Sequence, residues 1–324
     1  MNPPKMRWST GSCLAWLIVL AAAVKSTAAE ALPSGPPSVP ATFRGPVDGQ
    51  FPFDTSLFRG VLRQGDKSRG IVPLVDVASG TELAGDYGIV SHYRLLDDRH
   101  RYGHAAWDWK STARPLADGA VETAWVADAE HPFDLTAVYR WSAPDTLDVT
   151  TRVTARADLV RFESFLASYF RGFPQAMAYV QACPETGGKP GLLGATQQGG
   201  PWQMFPRDEA AVATITDGRW RREPNPVDWK IRPRLAGAMA VRRDPASGLT
   251  AVLMSPPQDC FAVSMPFGAE GHRSLYLSLF GRDLKSGETA TARTRLVIRR
   301  GLTDDQAVAL YKSYRKETAG KPAP

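Results

Sequence analysis

Between residues 51 and 300 the chain alternates apolar and polar positions in short runs, each closed by turn residues. In the run 145–156, Leu147, Val149, Val153 and Ala155 fall on one face and Asp148, Thr150, Arg152 and Arg156 on the other. A period of two marks a strand with one buried face. Comparable runs predict strands over 71–77, 88–95, 120–126, 135–141, 161–170, 176–181, 211–216, 237–242, 249–255, 260–265, 274–282 and 288–299. Turn residues stand between them, as at Pro144-Asp145, Asp217-Gly218 and Ser286-Gly287. The run 161–170 is apolar on both faces, as the middle of a stack requires. Helical periodicity enters only at the end, where Thr303 to Gln306 has capping-box spacing and Ala307, Leu310, Tyr311 and Tyr314 share a face. With no internal repeat to suggest a propeller, the pattern predicts an all-β fold. It is a large antiparallel β-sandwich, of supersandwich type, over 51–300, with one C-terminal helix and tail over 301–324.

The start of the chain changes the picture of where the protein works. Lys5 and Arg7 precede an apolar run over 13–24, and Ser26-Thr27-Ala28-Ala29 follows. This order predicts a cleaved signal peptide over 1–29, hence a secreted or periplasmic protein. The run is shorter than the roughly 20 residues that span a bilayer, and no integral span is expected after processing. A Pro/Gly/Ser-rich arm is expected over 30–50. The whole chain carries +6, but Lys5, Arg7 and Lys25 leave with the signal, so the mature balance is 36 basic against 33 acidic residues. A spread +3 does not support nucleic-acid binding. Cys183 and Cys260 survive processing and are read either as one disulfide or as two buried thiols.

Candidate chemistry concentrates in the stretch 87–109, which holds His92, His100, His104, Tyr93, Arg94, Trp107, Asp108 and Trp109. Strict alternation puts His92 and Arg94 on one strand face and Tyr93 on the other. His92 is then either a general acid or base beside a group that Arg94 orients, or a histidine bonded within the sheet. Tyr102-Gly103 between His100 and His104 indicates a loop, so no metal site is expected. No cofactor is expected either, because phosphate loops, dinucleotide glycine patterns and serine-hydrolase elbows are missing from the sequence. A second concentration, 199–229, holds Trp202, Arg207, Asp208, Trp220 and Trp229 in loop-like sequence. Arg207 and Asp208 are read there as ligand contacts or as a salt-bridged turn. Glu163 and Tyr169 lie on a strand face where a carboxylate is either paired or functional. Glu270 and His272 precede a late strand. Exposed indoles stack on the apolar C–H faces of sugars, so Trp107, Trp109, Trp202, Arg207, Asp208, Tyr169 and His272 are the expected saccharide contacts.

The strand order, the histidine-bearing region and the closing segment 274–298, SLYLSLFGRDLKSGETATARTRLVI, resemble the galactose-mutarotase-like superfamily of aldose epimerases and polysaccharide lyase domains. In the epimerases two histidines and a late carboxylate surround the sugar ring, and the resemblance implies His92, His104 and Glu270 for these roles. A lyase would need a base such as His92, Tyr93 or Tyr169 and a cation such as Arg94 or Arg207. The expected function is an exported carbohydrate-active protein binding an oligo- or polysaccharide and working by epimerase- or lyase-type acid–base chemistry. A non-catalytic carbohydrate-binding protein and a structural protein of the cell envelope are the alternatives.

Overall fold

In the computed structural model, residues 42–65, 67–267 and 272–320 are described. The expected signal peptide, most of the expected arm, and Glu270 lie outside these residues. Strands β1 (Phe51–Asp54), β2 (Phe58–Arg63) and β3 (Gly70–Asp76) make a small antiparallel sheet. The larger layer is nine-stranded. Its order is β11 (Gly191–Gly194), β10 (Gln175–Val180), β14 (Leu235–Asp244), β15 (Leu249–Met254), β18 (Thr289–Arg300), β8 (Thr146–Ala155), β7 (Phe133–Ala143), β6 (Val121–Trp125) and β5 (Ser111–Pro115). The opposing layer is six-stranded, in the order β13 (Lys230–Ile231), β12 (Trp202–Pro206), β16 (Cys260–Pro266), β17 (Ser274–Leu284), β9 (Leu159–Tyr169) and β4 (Ser91–Leu96). Among the described residues only the short β12–β13 pair is parallel. The antiparallel sandwich expected from the alternation is the observed architecture.

The main core lies between the two large sheets. Leu166 and Leu277 face it from the six-stranded layer; Leu135, Val149, Val153 and Ala292 face it from the nine-stranded one. The next residues along the inner strands point the other way. Phe165, Tyr169 and Tyr276 form a second apolar cluster with Trp107, Trp220 and Trp229 on the outer face of the six-stranded sheet. An apolar strand with two buried faces therefore has two different partners here: the opposing sheet, and a cover of loops that builds the site.

The C-terminal helix, α2 (Asp304–Thr318), starts at the expected capping box: Thr303 and Gln306 side chains each bond the other's backbone N–H. Ala307, Tyr311 and Tyr314 are buried against the outer face of the nine-stranded sheet, and the Tyr311 hydroxyl accepts the Ala238 N–H at 3.0 Å. A second helix, α1 (Glu209–Ile215), occupies the segment expected to be a strand over 211–216. The reason is local: the Asp208 carboxylate accepts the Ala211 N–H at 2.9 Å and caps the first turn.

The two cysteines among the described residues, Cys183 and Cys260, are free thiols, which corrects the disulfide alternative. Cys260 is fully buried on β16, its thiol donates to the Ala262 carbonyl at 3.1 Å, and burial pushes its pKa up to about 12. Cys183 sits in a turn after β10, where its backbone N–H and thiol bond Thr186.

Candidate functional site: an aromatic cleft on the six-stranded sheet

The site begins with a break in alternation. Along the β4–β9 pair, His92 lies opposite Leu166 and Arg94 opposite Phe165, so β4 fits one extra residue, Tyr93, into a single step of its neighbour. Such a bulge re-aims side chains. Arg94 thereby joins Phe165 on the outer face, and Tyr93 packs against the same outer cluster. His92 goes to the opposite side.

The pairing of His92 with Arg94 expected from strict alternation is therefore corrected. His92 is fully buried between the sheets, with Nδ1 2.9 Å from Ser164 Oγ, Nε2 3.3 Å from Thr151 Oγ1, and its ring edge-on to Trp125. Burial pushes its pKa down to about 3, so it is neutral at physiological pH. It does not line the cleft described below and is placed as a hydrogen-bonded core residue.

A cleft of about 500 Å³ opens on the outer face, within the size range of small-ligand sites. One wall is a continuous ladder. The Arg69 guanidinium lies 5.7 Å from the Tyr87 ring centre, and Tyr87 stacks on Trp107 at 5.6 Å. Trp107 stacks on Tyr93 at 4.5 Å with their planes 3° apart. The Arg94 guanidinium follows, 5.2 Å from Tyr93 and 5.1 Å from Trp220. Phe165, Tyr169 and Tyr276 lie on the sheet side of the cleft, and Trp202, Trp229 and His272 add to its lining, with Trp202 edge-on to Trp229 at 5.7 Å.

The turn 106–108 decides which indole does what. Trp107 enters the ladder and Asp108 reaches the cleft rim. Trp109 instead turns into the main core, stacked on His131 at 4.0 Å and edge-on to Phe133. The expected ligand role of Trp109 is corrected accordingly. Arg207 and Asp208 are likewise outside the cleft lining: Arg207 bonds Asp208 at 2.7 Å and the Pro257 carbonyl at 2.9 Å, while Asp208 caps α1. They form the salt-bridged turn.

The other expected residues converge. Tyr93, Arg94, His104, Trp107, Tyr169, Trp202 and His272 all line the cleft. His104 Nδ1 is 3.2 Å from Asp108 Oδ2, and Lys67 pairs with the same carboxylate. Burial opposes ionisation of Asp108, but the hydrogen bonds from Lys67 and His104 outweigh it and hold the carboxyl below its ordinary range. A carboxylate only accepts, so it selects the tautomer of His104 with Nδ1–H, leaving Nε2 as a proton acceptor. The Tyr169 phenol is pushed well above its ordinary value, first by burial and then by its neighbour Tyr276, and keeps its proton at neutral pH.

Trp220 is posed by charge. Arg219, fully buried, bonds Glu163 at 3.2 Å, Asp217 at 2.9 Å and the Arg161 carbonyl at 2.8 Å. Glu163 is therefore the paired carboxylate of the two readings. Residues that sequence reasoning did not assign to the site include Arg69, Tyr87 and Tyr276. Tyr276 had one signal, a phenol alternating with leucines in the run SLYLSLF.

The sequence matches no protein-family profile and no curated protein. The fold is similar to that of the Slr1438 protein from Synechocystis sp. PCC 6803, at 11% identity over 80% of this chain and 98% of that one, with a TM-score of 0.51. A galactose mutarotase-like protein from Lactobacillus casei ATCC 334 is 12% identical over 78% of this chain and 100% of its own, with a TM-score of 0.47. A putative aldose 1-epimerase from Escherichia coli K12 is 14% identical over 78% and 99%, with a TM-score of 0.45. At 11% identity the likeness to the Slr1438 protein is one of fold.

Proposed function

We propose that this is an exported protein that binds a saccharide in the aromatic cleft and acts on it by acid–base chemistry. The observation that carries the reading is the ring-rich lining of the cleft, in which the exposed Tyr87, posed by its stack on Trp107, and the half-buried Trp202 and Trp229 stand beside hydroxyls, imidazoles and guanidinium groups. Pyranose C–H faces stack on such rings while polar neighbours take the hydroxyls. Two kinds of proton carrier flank the bound sugar. His104, oriented by Asp108, presents Nε2 as a base, and Tyr169, held protonated, is the donor; His272 stands edge-on to Tyr169 at 5.8 Å. An epimerase and a lyase both begin with such a pair, so the chemistry is stated at the level of proton transfer. Export rests on the basic start, the apolar run and the small residues before Glu30.

The mature protein, incubated with neutral and uronic-acid saccharides, is expected to give a signal in one of three channels: absorbance of unsaturated products, new reducing ends, or anomeric exchange. Trp107→Ala is expected to weaken saccharide binding by about tenfold, because Tyr87 and Tyr93 lose the ring that stacks between them and holds them in the cleft wall. Measured binding without product in any channel would leave a carbohydrate-binding protein and remove the catalytic half of the proposal. Absence of saccharide binding would remove both.

A further inference from the structure

Arg94 is 3% exposed, yet its guanidinium has no carboxylate within ion-pairing distance among the described residues. Only Nη2 is bonded, to the Asn225 carbonyl at 2.6 Å, while Nε and Nη1 have no hydrogen-bond partner. A buried cation is ordinarily paired, and one left without a counter-charge is costly. Arg69, at the other end of the ladder, is also without a carboxylate partner: Nη1 donates to the Asp86 carbonyl at 3.1 Å and Nε is unbonded. Elsewhere on this chain arginines near the surface are commonly matched, as in Arg207–Asp208, Arg295–Asp148 and Arg299–Asp145. The cleft lining carries Lys67, Arg69 and Arg94 against the single carboxylate Asp108, which Lys67 already neutralises. Cationic charge behind low-dielectric rings acts on a ligand more strongly than the same charge in water.

We infer that the saccharide taken by this cleft is an anionic oligosaccharide, with one acidic group held near Arg94 and another near Arg69 at the two ends of the aromatic ladder. This rests on the saccharide-binding reading and adds the substrate class. Carboxylates of uronic acids and sulfate esters share the chemistry that an arginine recognises. Two cationic ends separated by three stacked rings suit a chain of more than one sugar, since the span between the guanidinium groups is longer than a single pyranose.

The test is calorimetric titration of the mature protein with four probes: tetragalacturonate, its methyl ester, an uncharged tetrasaccharide, and that tetrasaccharide carrying sulfate esters. At least one acidic probe is expected to bind about tenfold or more tighter than its uncharged counterpart, with the difference shrinking as salt rises. The acidic probe that wins identifies the source of the charge. Arg94→Gln is expected to bring the acidic and uncharged probes within about threefold of each other, by weakening the acidic probe more than the uncharged one. Because Arg94 is buried, Arg69→Gln at the rim and the salt dependence of the unaltered protein provide the same readout independently of any folding defect. Equal affinity for acidic and uncharged probes, insensitive to salt, would overturn the inference and leave saccharide binding standing. Failure of all four probes to bind would count against the saccharide reading itself.

Discussion

Replacing Arg219 with alanine is expected to lower the stability of the protein by about 3–5 kcal/mol, the cost of removing one partner from a buried ion pair. The Arg219 and Glu163 side chains are both fully buried and meet at 3.2 Å, and Asp217 completes the group. Without the guanidinium, Glu163 is a carboxyl with no counter-charge, and burial, which already pushes its pKa up, favours the protonated form. The Arg161 carbonyl loses a donor at the same time. Trp220 follows Arg219 directly and stands beside Arg94 and Phe165, so the loosened turn takes one side of the cleft with it. Urea denaturation measures the effect as a lower midpoint. Changing Arg219 to methionine together with Glu163→Leu is expected to recover most of the loss, because the two apolar side chains replace the fully buried pair and Asp217 keeps Arg161 at 3.3 Å as its partner. A single-variant change below about 1 kcal/mol would mean that the pair is not the lock described here.

Acid is expected to destabilise the protein through His92. Its folded pKa of about 3 lies below the ordinary histidine value near 6.5 that applies in the unfolded chain. The unfolded chain therefore binds a proton that the folded one refuses. The contribution is fully present above about pH 6.5 and is lost as pH falls from there towards 3, with a slope approaching ~1.4 kcal/mol per pH unit. His92→Gln keeps hydrogen-bonding capacity toward Ser164 and Thr151 but does not titrate. Denaturation midpoints of the two proteins from pH 7 to pH 4 isolate the histidine from the carboxylates they share. Parallel midpoints across that range would place the His92 imidazole in contact with solvent or with a counter-charge.

Alternation was enough to read most of the longer strands and the sandwich, because each buried face repeats every second residue, but it missed shorter strands such as β5 and β12, where Trp202 stands in a strand and not in the loop expected, and it put a strand where α1 lies. The capping box was enough to read α2. What alternation could not reveal was the bulge at Tyr93, since one extra residue leaves composition and spacing untouched while exchanging the faces of everything after it. That single step separates His92 from Arg94 and sends Tyr93 to the ladder. Trp107 and Trp109 differ for a related reason: two residues apart, they leave a tight turn, not a strand, and part towards different cores. The helix α1 was legible in principle from Asp208 as a cap, but the run AAVATIT also suits a strand. Convergence of Arg69, Tyr87, Trp202 and His272 on one cleft depends on contacts between segments far apart in the chain, which no local pattern encodes.

The aromatic cleft is the proposed meeting place of this protein and its ligand. Amide hydrogen exchange, measured with and without a bound saccharide, tests it most directly. Slowed exchange is expected in the loop segments that cover the cleft, 67–69, 87–109 and 220–229, with the same protection lost in Trp107→Ala. Protection centred instead on the depression lined by Asp97, Glu130 and Asp158, or on the face covered by α2, with the cleft segments unchanged, would contradict it.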